Sequence, residues 1–185
     1  MQDPDGDYYT IKIYSEDGLI ETTYFKDQTG CQCSSKLGIY YSVTKYDNHE
    51  RVIEEVQYNE KDYPIQKQDG SYGHAIEYGH NVRTLVCLGK DGKPANCSLG
   101  FTYRQLRLDD KGRPISDKVL TDSFELLSPS QTFEYLKKEN GLLSYYQYRT
   151  DKDNRIICTD DIPIRYIEED AYGNVVKVLY FKGEA

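Results

Sequence analysis

Tryptophan is absent from this chain of 185 residues, and methionine occurs once. The usual aromatic platform for a sugar ring is therefore missing, and any such platform would have to be built from tyrosine. No stretch approaches the ~18 consecutive apolar residues that cross a bilayer as a helix. No basic run offsets the formal net charge of −8, and an acidic surface repels phosphate backbones, so nucleic acid is not an expected partner. Residues Met1 to Asp7 lack the basic and apolar segments of a secretory leader. A cytosolic protein and a mature chain that has lost its leader both remain open. A Gly-x-Ser-x-Gly elbow and a phosphate-binding glycine loop are missing too, so neither serine-hydrolase nor nucleotide chemistry has a signature here.

What the chain does have is tyrosine, 19 of them, against a hydrophobic fraction of 38% and a charged fraction of 29%. Tyrosine buries its ring while its hydroxyl stays wet, which suits thin sheets better than a thick aliphatic core. Low hydropathy with net charge could signal disorder, but β-formers recur too regularly for that. Tyr9, Tyr41, Tyr72, Tyr103, Tyr135 and Tyr166 are spaced by 32, 31, 31, 32 and 31 residues. About nine residues after each comes a turn: Ser15–Gly18, Asp47–Glu50, Tyr78–Asn81, Asp109–Gly112, Lys138–Gly141 and Asp170–Asn174. Asp and Asn start such turns by bonding nearby amides, and Gly ends them by tolerating positive φ.

A second turn series keeps the same period: Lys26–Gly30, Asn59–Asp62, Gly89–Gly92, Leu120–Ser123, Thr150–Asn154 and the terminal Lys182-Gly183. Pro64 and Pro94 just beyond it exclude a central strand position there. A connector of about eight residues then leads to the next copy, ending in Gly38, Gly73 and Gly100 in three of them. The reading is an all-β chain of tandem antiparallel β-hairpin repeats forming an extended or curled sheet. It forms a single repeat domain over 1–185, with units near 8–38, 39–70, 71–100, 101–131, 132–163 and 164–185. A lone hairpin is marginal in water, so stacked copies must support one another. Ser130 to Lys138 has the most helix-like period, yet its tyrosine is in phase with the repeat, which favours a strand.

Tyr46-Asp47-Asn48-His49-Glu50-Arg51-Val52 resembles the unit of the bacterial tyrosine–aspartate (YD, or rearrangement-hotspot) repeats, with Glu50 in place of Gly. Leu108-Asp109-Asp110-Lys111-Gly112-Arg113 is similar, with Leu108 in place of Tyr, and Asp170-Ala171-Tyr172-Gly173-Asn174-Val175 matches the second half. Lys90-Asp91-Gly92-Lys93-Pro94 looks like the second turn of longer relatives. The resemblance implies an extended β-structure in a bacterial surface or secreted protein and a scaffold or interaction role. It carries no catalytic residue across.

Candidate chemistry is sparse. Cys31-Gln32-Cys33 lacks the second close pair of a zinc site. Cys33, Cys97 and Cys158 are 64 and 61 residues apart, with Ile65 and Leu126 near the intervening positions, which reads as a recurring small apolar slot. Burial as free thiols is thus favoured over a disulfide, and a disulfide over a metal. His49 and His80 fall in equivalent turns, while a strand puts His74 and His80 opposite Glu77, a geometry that does not converge on a metal. Asn96-Cys97-Ser98 fits a glycosylation sequon, and Asp109-Asp110 and Asp160-Asp161 lack the spaced ligands of a calcium loop. No catalytic residue, metal ligand or cofactor is assigned.

The remaining candidates are tyrosines. Adjacent pairs in a strand point to opposite faces, so either both rings of Tyr8-Tyr9, Tyr40-Tyr41 and Tyr145-Tyr146 pack against neighbouring layers, which is the favoured reading, or one ring of each pair is exposed. Tyr8, Tyr40, Tyr145 and Tyr146 are the contact residues for a protein or glycan partner on the second reading. The expected function is a non-enzymatic β-repeat scaffold or protein-interaction module. The alternatives are a carbohydrate-binding module using those tyrosines, and an enzyme with its site in the divergent fourth copy, Arg113 to Gln131.

Overall fold

A computed structural model describes residues 9–136, 142–159 and 161–182. It is all-β: thirteen antiparallel strands in consecutive hairpins, with no helix among the described residues. They are β1 (Tyr9–Tyr14), β2 (Ile20–Lys26), β3 (Tyr41–Tyr46), β4 (Val52–Tyr58), β5 (Gly73–Gly79), β6 (Val82–Leu88) and β7 (Tyr103–Leu108). There follow β8 (Pro114–Leu120), β9 (Ser130–Tyr135), β10 (Leu143–Thr150), the short β11 (Ile156–Ile157), β12 (Ile164–Glu169) and β13 (Val175–Phe181). The chain divides into two compact units, Met1–Glu77 with Leu85–Tyr103 and Tyr78–Thr84 with Arg104–Ala185. In the first, β1 to β5 pair in chain order. In the second, β8, β9, β10, β12 and β13 pair in that order and β11 lies against β10.

One loop design recurs in both units. Its first amide donates to the carbonyl four residues on, its fourth amide donates back to the first carbonyl, and its fourth residue has positive φ. That is a type I turn closed by a left-handed residue, a common way to join antiparallel strands. It follows the first strand of a hairpin at Asp47–Arg51, Asp109–Arg113 and Asp170–Asn174. It follows the second strand at Asp27–Cys31, Asn59–Tyr63, Gly89–Lys93, Thr121–Glu125 and Asp151–Arg155. Asp47, Asn59, Asp109, Asp151 and Asp170 each turn a side-chain oxygen onto the third and fifth amides of their own loop. This is why Asp and Asn lead both turn series. The expected turn at Lys138–Gly141 and the residue Gly183 lie outside the described residues.

The connector holds a third loop of the same design, at Ser35–Ile39, Lys67–Ser71 and Cys97–Phe101. Its left-handed residues are Gly38, Gly70 and Gly100. Gly73, expected to end the connector, instead begins β5, where a Cβ would come within 2.8 Å of Val56 Cγ2. The fourth copy has no such loop. Leu127 bonds back to Val119, and β9 starts at Ser130.

This missing loop dislocates the tyrosine series. Isolated bridges bracket the second loop at Lys26–Gln32, Tyr58–Pro64, Leu88–Pro94 and Leu120–Leu126, joined by the pair Thr150–Ile156. Across their hairpins, Tyr9 faces Lys26 and Tyr41 faces Tyr58, but Ser130 faces Thr150 and Ile164 faces Phe181. Tyr135 stands at the far end of β9, opposite Tyr145, and Tyr166 lies inside β12. The equal tyrosine spacing therefore does not mark equivalent positions throughout. The apparent cysteine rung fails in the same way: Cys33 and Ile65 donate to equivalent strand carbonyls, where the third copy presents Ala95 and the fourth Leu127. Cys97 instead opens a third loop. Of the unit boundaries drawn from sequence, 38/39, 70/71 and 100/101 all fall in third loops, and 131/132 falls inside β9.

The aliphatic core is small. In the first unit Val56, Val86 and Leu88 form its centre, with Tyr58, Ala75 and Tyr103 against them. Aromatic rows run across strands: Tyr24, Tyr41 and Tyr58 sit at centroid spacings of 5.9 and 4.8 Å. Glu54, which breaks the apolar pattern of β4, faces Lys45 and pairs with it at 2.7 Å.

Glu21 is a second polar intrusion, 5% exposed. Burial raises its carboxyl, but bonds from Tyr14 at 2.7 Å, Lys12 at 2.9 Å and Thr23 at 3.0 Å outweigh burial and hold it down to about 2. A depressed folded-state value contributes stability above the unfolded-state value of 4.5, which is lost as pH falls from there through about 2. Glu21→Gln is therefore expected to flatten acid destabilisation between pH 4.5 and 2, as read by urea unfolding at stepped pH. An unchanged acid limb would show that Glu21 does not carry it.

Candidate functional site

Tyr8 lies outside the described residues. Tyr40 is half-buried just before β3, its amide on the Tyr58 carbonyl. Tyr145 and Tyr146 point to opposite faces of β10, and neither is left exposed. Tyr145 packs on Phe133 and Tyr135 and donates to Glu169 at 2.7 Å. Tyr146 packs on Tyr166 and Phe181. The Tyr145 and Tyr146 rings are thus covered by neighbours in their own sheet, because adjacent strands bring aromatic residues side by side, whereas Tyr9 is 45% exposed. Tyr146 still lines a shallow apolar cleft with Tyr148, Ile156, Ile164 and Phe181.

The structure assembles a different group, entirely in the first unit. Asp69 in the third loop, His74 on β5 and Cys87 on β6 bring one ligand atom each to within 4.8 Å of one another. The third loop presents Asp69: its Oδ1 accepts from the Ser71 amide and hydroxyl at 3.0 and 2.7 Å. The Asp69 carbonyl is held by the amide and hydroxyl of Ser98, at 2.6 and 2.7 Å, so the third loops of successive copies are stacked. His74 Nε2 is 2.8 Å from Asp69 Oδ2, and its Nδ1 is 3.4 Å from the Lys67 ammonium. An ammonium only donates and a carboxylate only accepts, so the neutral ring with its proton on Nε2 satisfies both. Lys67 also reaches Glu55 at 3.2 Å, and Glu55 faces His74 across the β4–β5 ladder.

Cys87 is 1% exposed. Burial first, then the adjacent Cys97 thiol and the Asp69 carboxylate, push its thiol up to about 12. Cys97 is buried as well, and neither it nor Cys87 is in a disulfide. A Cys–His–Asp set invites comparison with a nucleophilic triad, in which one imidazole nitrogen bonds the carboxylate and the other accepts from the nucleophile. Here Nε2 lies on Asp69 and Nδ1 faces the Lys67 ammonium instead of the thiol. Burial opposes the charged form of Asp69, whereas bonds from Ser71 and His74 lower its carboxyl. What the set offers is oxygen, nitrogen and sulfur donors converging on one point.

Sequence reasoning placed His74 with His80 and Glu77, but His80 sits in the β5–β6 turn and Glu77 is exposed. Asp69, His74 and Cys87 come from a loop and two strands, so no short motif joins them. The signal that could have found them is the unrecognised third loop, which turns Asp69 back over β5.

Fold and loops together define the class: an all-β protein of tandem antiparallel hairpins joined by one repeated loop. Compared with known families and with curated proteins, the chain matches none. The Asp47 and Asp109 loops share one further contact. In both, the Asp pairs with Arg four residues on, at 2.6 Å.

Proposed function

We propose that the chain is a non-enzymatic β-repeat scaffold that binds a protein partner by strand addition at β13. One observation carries this reading: all seven residues of β13 are exposed, with its apolar side chains 37 to 61% accessible. Elsewhere the second strand of a hairpin pairs with the first strand of the next, as β2 with β3, β4 with β5 and β10 with β12. β13 is a second strand with β12 on one side and no described strand on the other. Unpaired backbone amides and carbonyls on a flat apolar edge are a template for another strand. The fitting occupant is an antiparallel strand like β3, Tyr-Ser-Val-Thr-Lys-Tyr, which pairs in this way with the second strand β2.

The test adds a synthetic hairpin of residues 39–58 to the chain and follows amide exchange. Alternate β13 amides are expected to slow. Of Val178→Pro and Leu179→Pro, the one that removes an outward-facing N–H is expected to abolish the slowing while keeping the fold. Unchanged β13 exchange at millimolar hairpin would overturn strand addition. An enzymatic turnover lost on a single substitution would overturn the scaffold reading itself.

A further inference from the structure

We infer that Asp69, His74 and Cys87, with Cys97 as fourth ligand, form a zinc-type transition-metal site that staples two successive repeats. This goes beyond the scaffold reading and does not depend on it.

The geometry is compatible with a single ion. Tetrahedral zinc takes sulfur at about 2.3 Å and nitrogen or oxygen at about 2.0–2.2 Å. The Asp69, His74 and Cys87 donor atoms lie within 4.8 Å of one another, close enough to share such an ion after side-chain adjustment, and the Cys97 thiol is adjacent to that of Cys87. The donor mix of imidazole, carboxylate and thiol suits zinc or cobalt(II) over magnesium or calcium, which take oxygen. Supporting contacts already orient the set. Ser71 fixes one Asp69 oxygen and leaves the other facing His74. Ser98 holds the Asp69 carbonyl from the next loop, the loop that Cys97 opens.

Lys67 sets the cost of binding. A metal on Nε2 moves the imidazole proton to Nδ1, which now faces the Lys67 ammonium at 3.4 Å. Lys67 must swing away so that Glu55, directly across the ladder, can accept that proton's hydrogen bond. Lys67 is thus a positioning residue that works against occupancy, and removing its charge should tighten binding.

Titration of the reduced, full-length chain with cobalt(II) chloride, and competition with zinc chloride, tests this. One equivalent is expected to give a thiolate-to-cobalt charge-transfer band and the visible bands of a tetrahedral ion, both displaced by zinc. His74→Gln and Asp69→Asn, at partly exposed positions, should keep the fold by circular dichroism and weaken binding at least ~10-fold. Cys87→Ser should remove the charge-transfer band, and Lys67→Met should tighten binding by up to ~10-fold. Cys31→Ser with Cys33→Ser should change nothing. No band on the reduced wild type would overturn the site. So would a band that survives His74→Gln and Asp69→Asn but disappears with Cys31 and Cys33.

Discussion

Gly70→Ala is expected to destabilise the chain by roughly 2–5 kcal/mol, seen as a fall in the urea midpoint. Two costs combine. Gly70 has φ +82°, a conformation that costs an L-residue about 1–2 kcal/mol. In addition, a Cβ there would lie 2.8 Å from the Ser98 amide nitrogen and 3.0 Å from its Cβ. Overpacking of that kind adds roughly 1–3 kcal/mol. The obstacle is largely backbone of the neighbouring loop and cannot swing aside. Gly18→Ala is the control. Its φ is +73°, but nothing lies within 4 Å of the added carbon, so only the conformational cost of about 1–2 kcal/mol remains. Equal losses at both positions would show that the stacking of Gly70 on Ser98 does not matter to stability.

Leu88→Ala is expected to cost about 2–5 kcal/mol, the range for deleting a buried leucine in a packed interior. Leu88 is 6% exposed and completes the centre formed with Val56 and Val86. The aliphatic core is small, with only Tyr58, Ala75 and Tyr103 packed against its centre, so few aliphatic side chains are at hand to fill the gap. Val178→Ala, on the exposed face of β13, should cost below about 1 kcal/mol. Comparable losses from the two substitutions in thermal unfolding would mean that the stabilising packing is not where Leu88 sits.

Much of this fold is legible in the sequence because its loops are chemically explicit. Asp27, Asn59, Thr121 and Asp151 each begin a second-series loop, and their positions could be read directly from the chain. The all-β hairpin character follows from them. The strand for Ser130–Tyr135 was readable too, against a helix-like period. The third loop was less visible, because Ser35, Lys67 and Cys97 share no residue type at its start and only the left-handed glycine is common. With that loop unrecognised, Gly73 took the place of Gly70 and the fourth copy's deletion went unseen. Tyrosine spacing then seemed to mark equivalence where it did not. The convergence of Asp69, His74 and Cys87 was out of reach for the same reason, since it depends on how one loop folds over the next strand.

The pairing of each strand with strands close to it in the chain has a kinetic consequence. Sheet proteins usually fold slowly because distant segments must meet before any contact is rewarded. In β1 to β5 and again in β8 to β13, every ladder closes only a short stretch of chain. Structure can therefore nucleate at any hairpin whose loop forms early and spread outward to its neighbours. Folding speed in this chain is expected to follow local loop closure, as in a helical array, even though every element among the described residues is a strand.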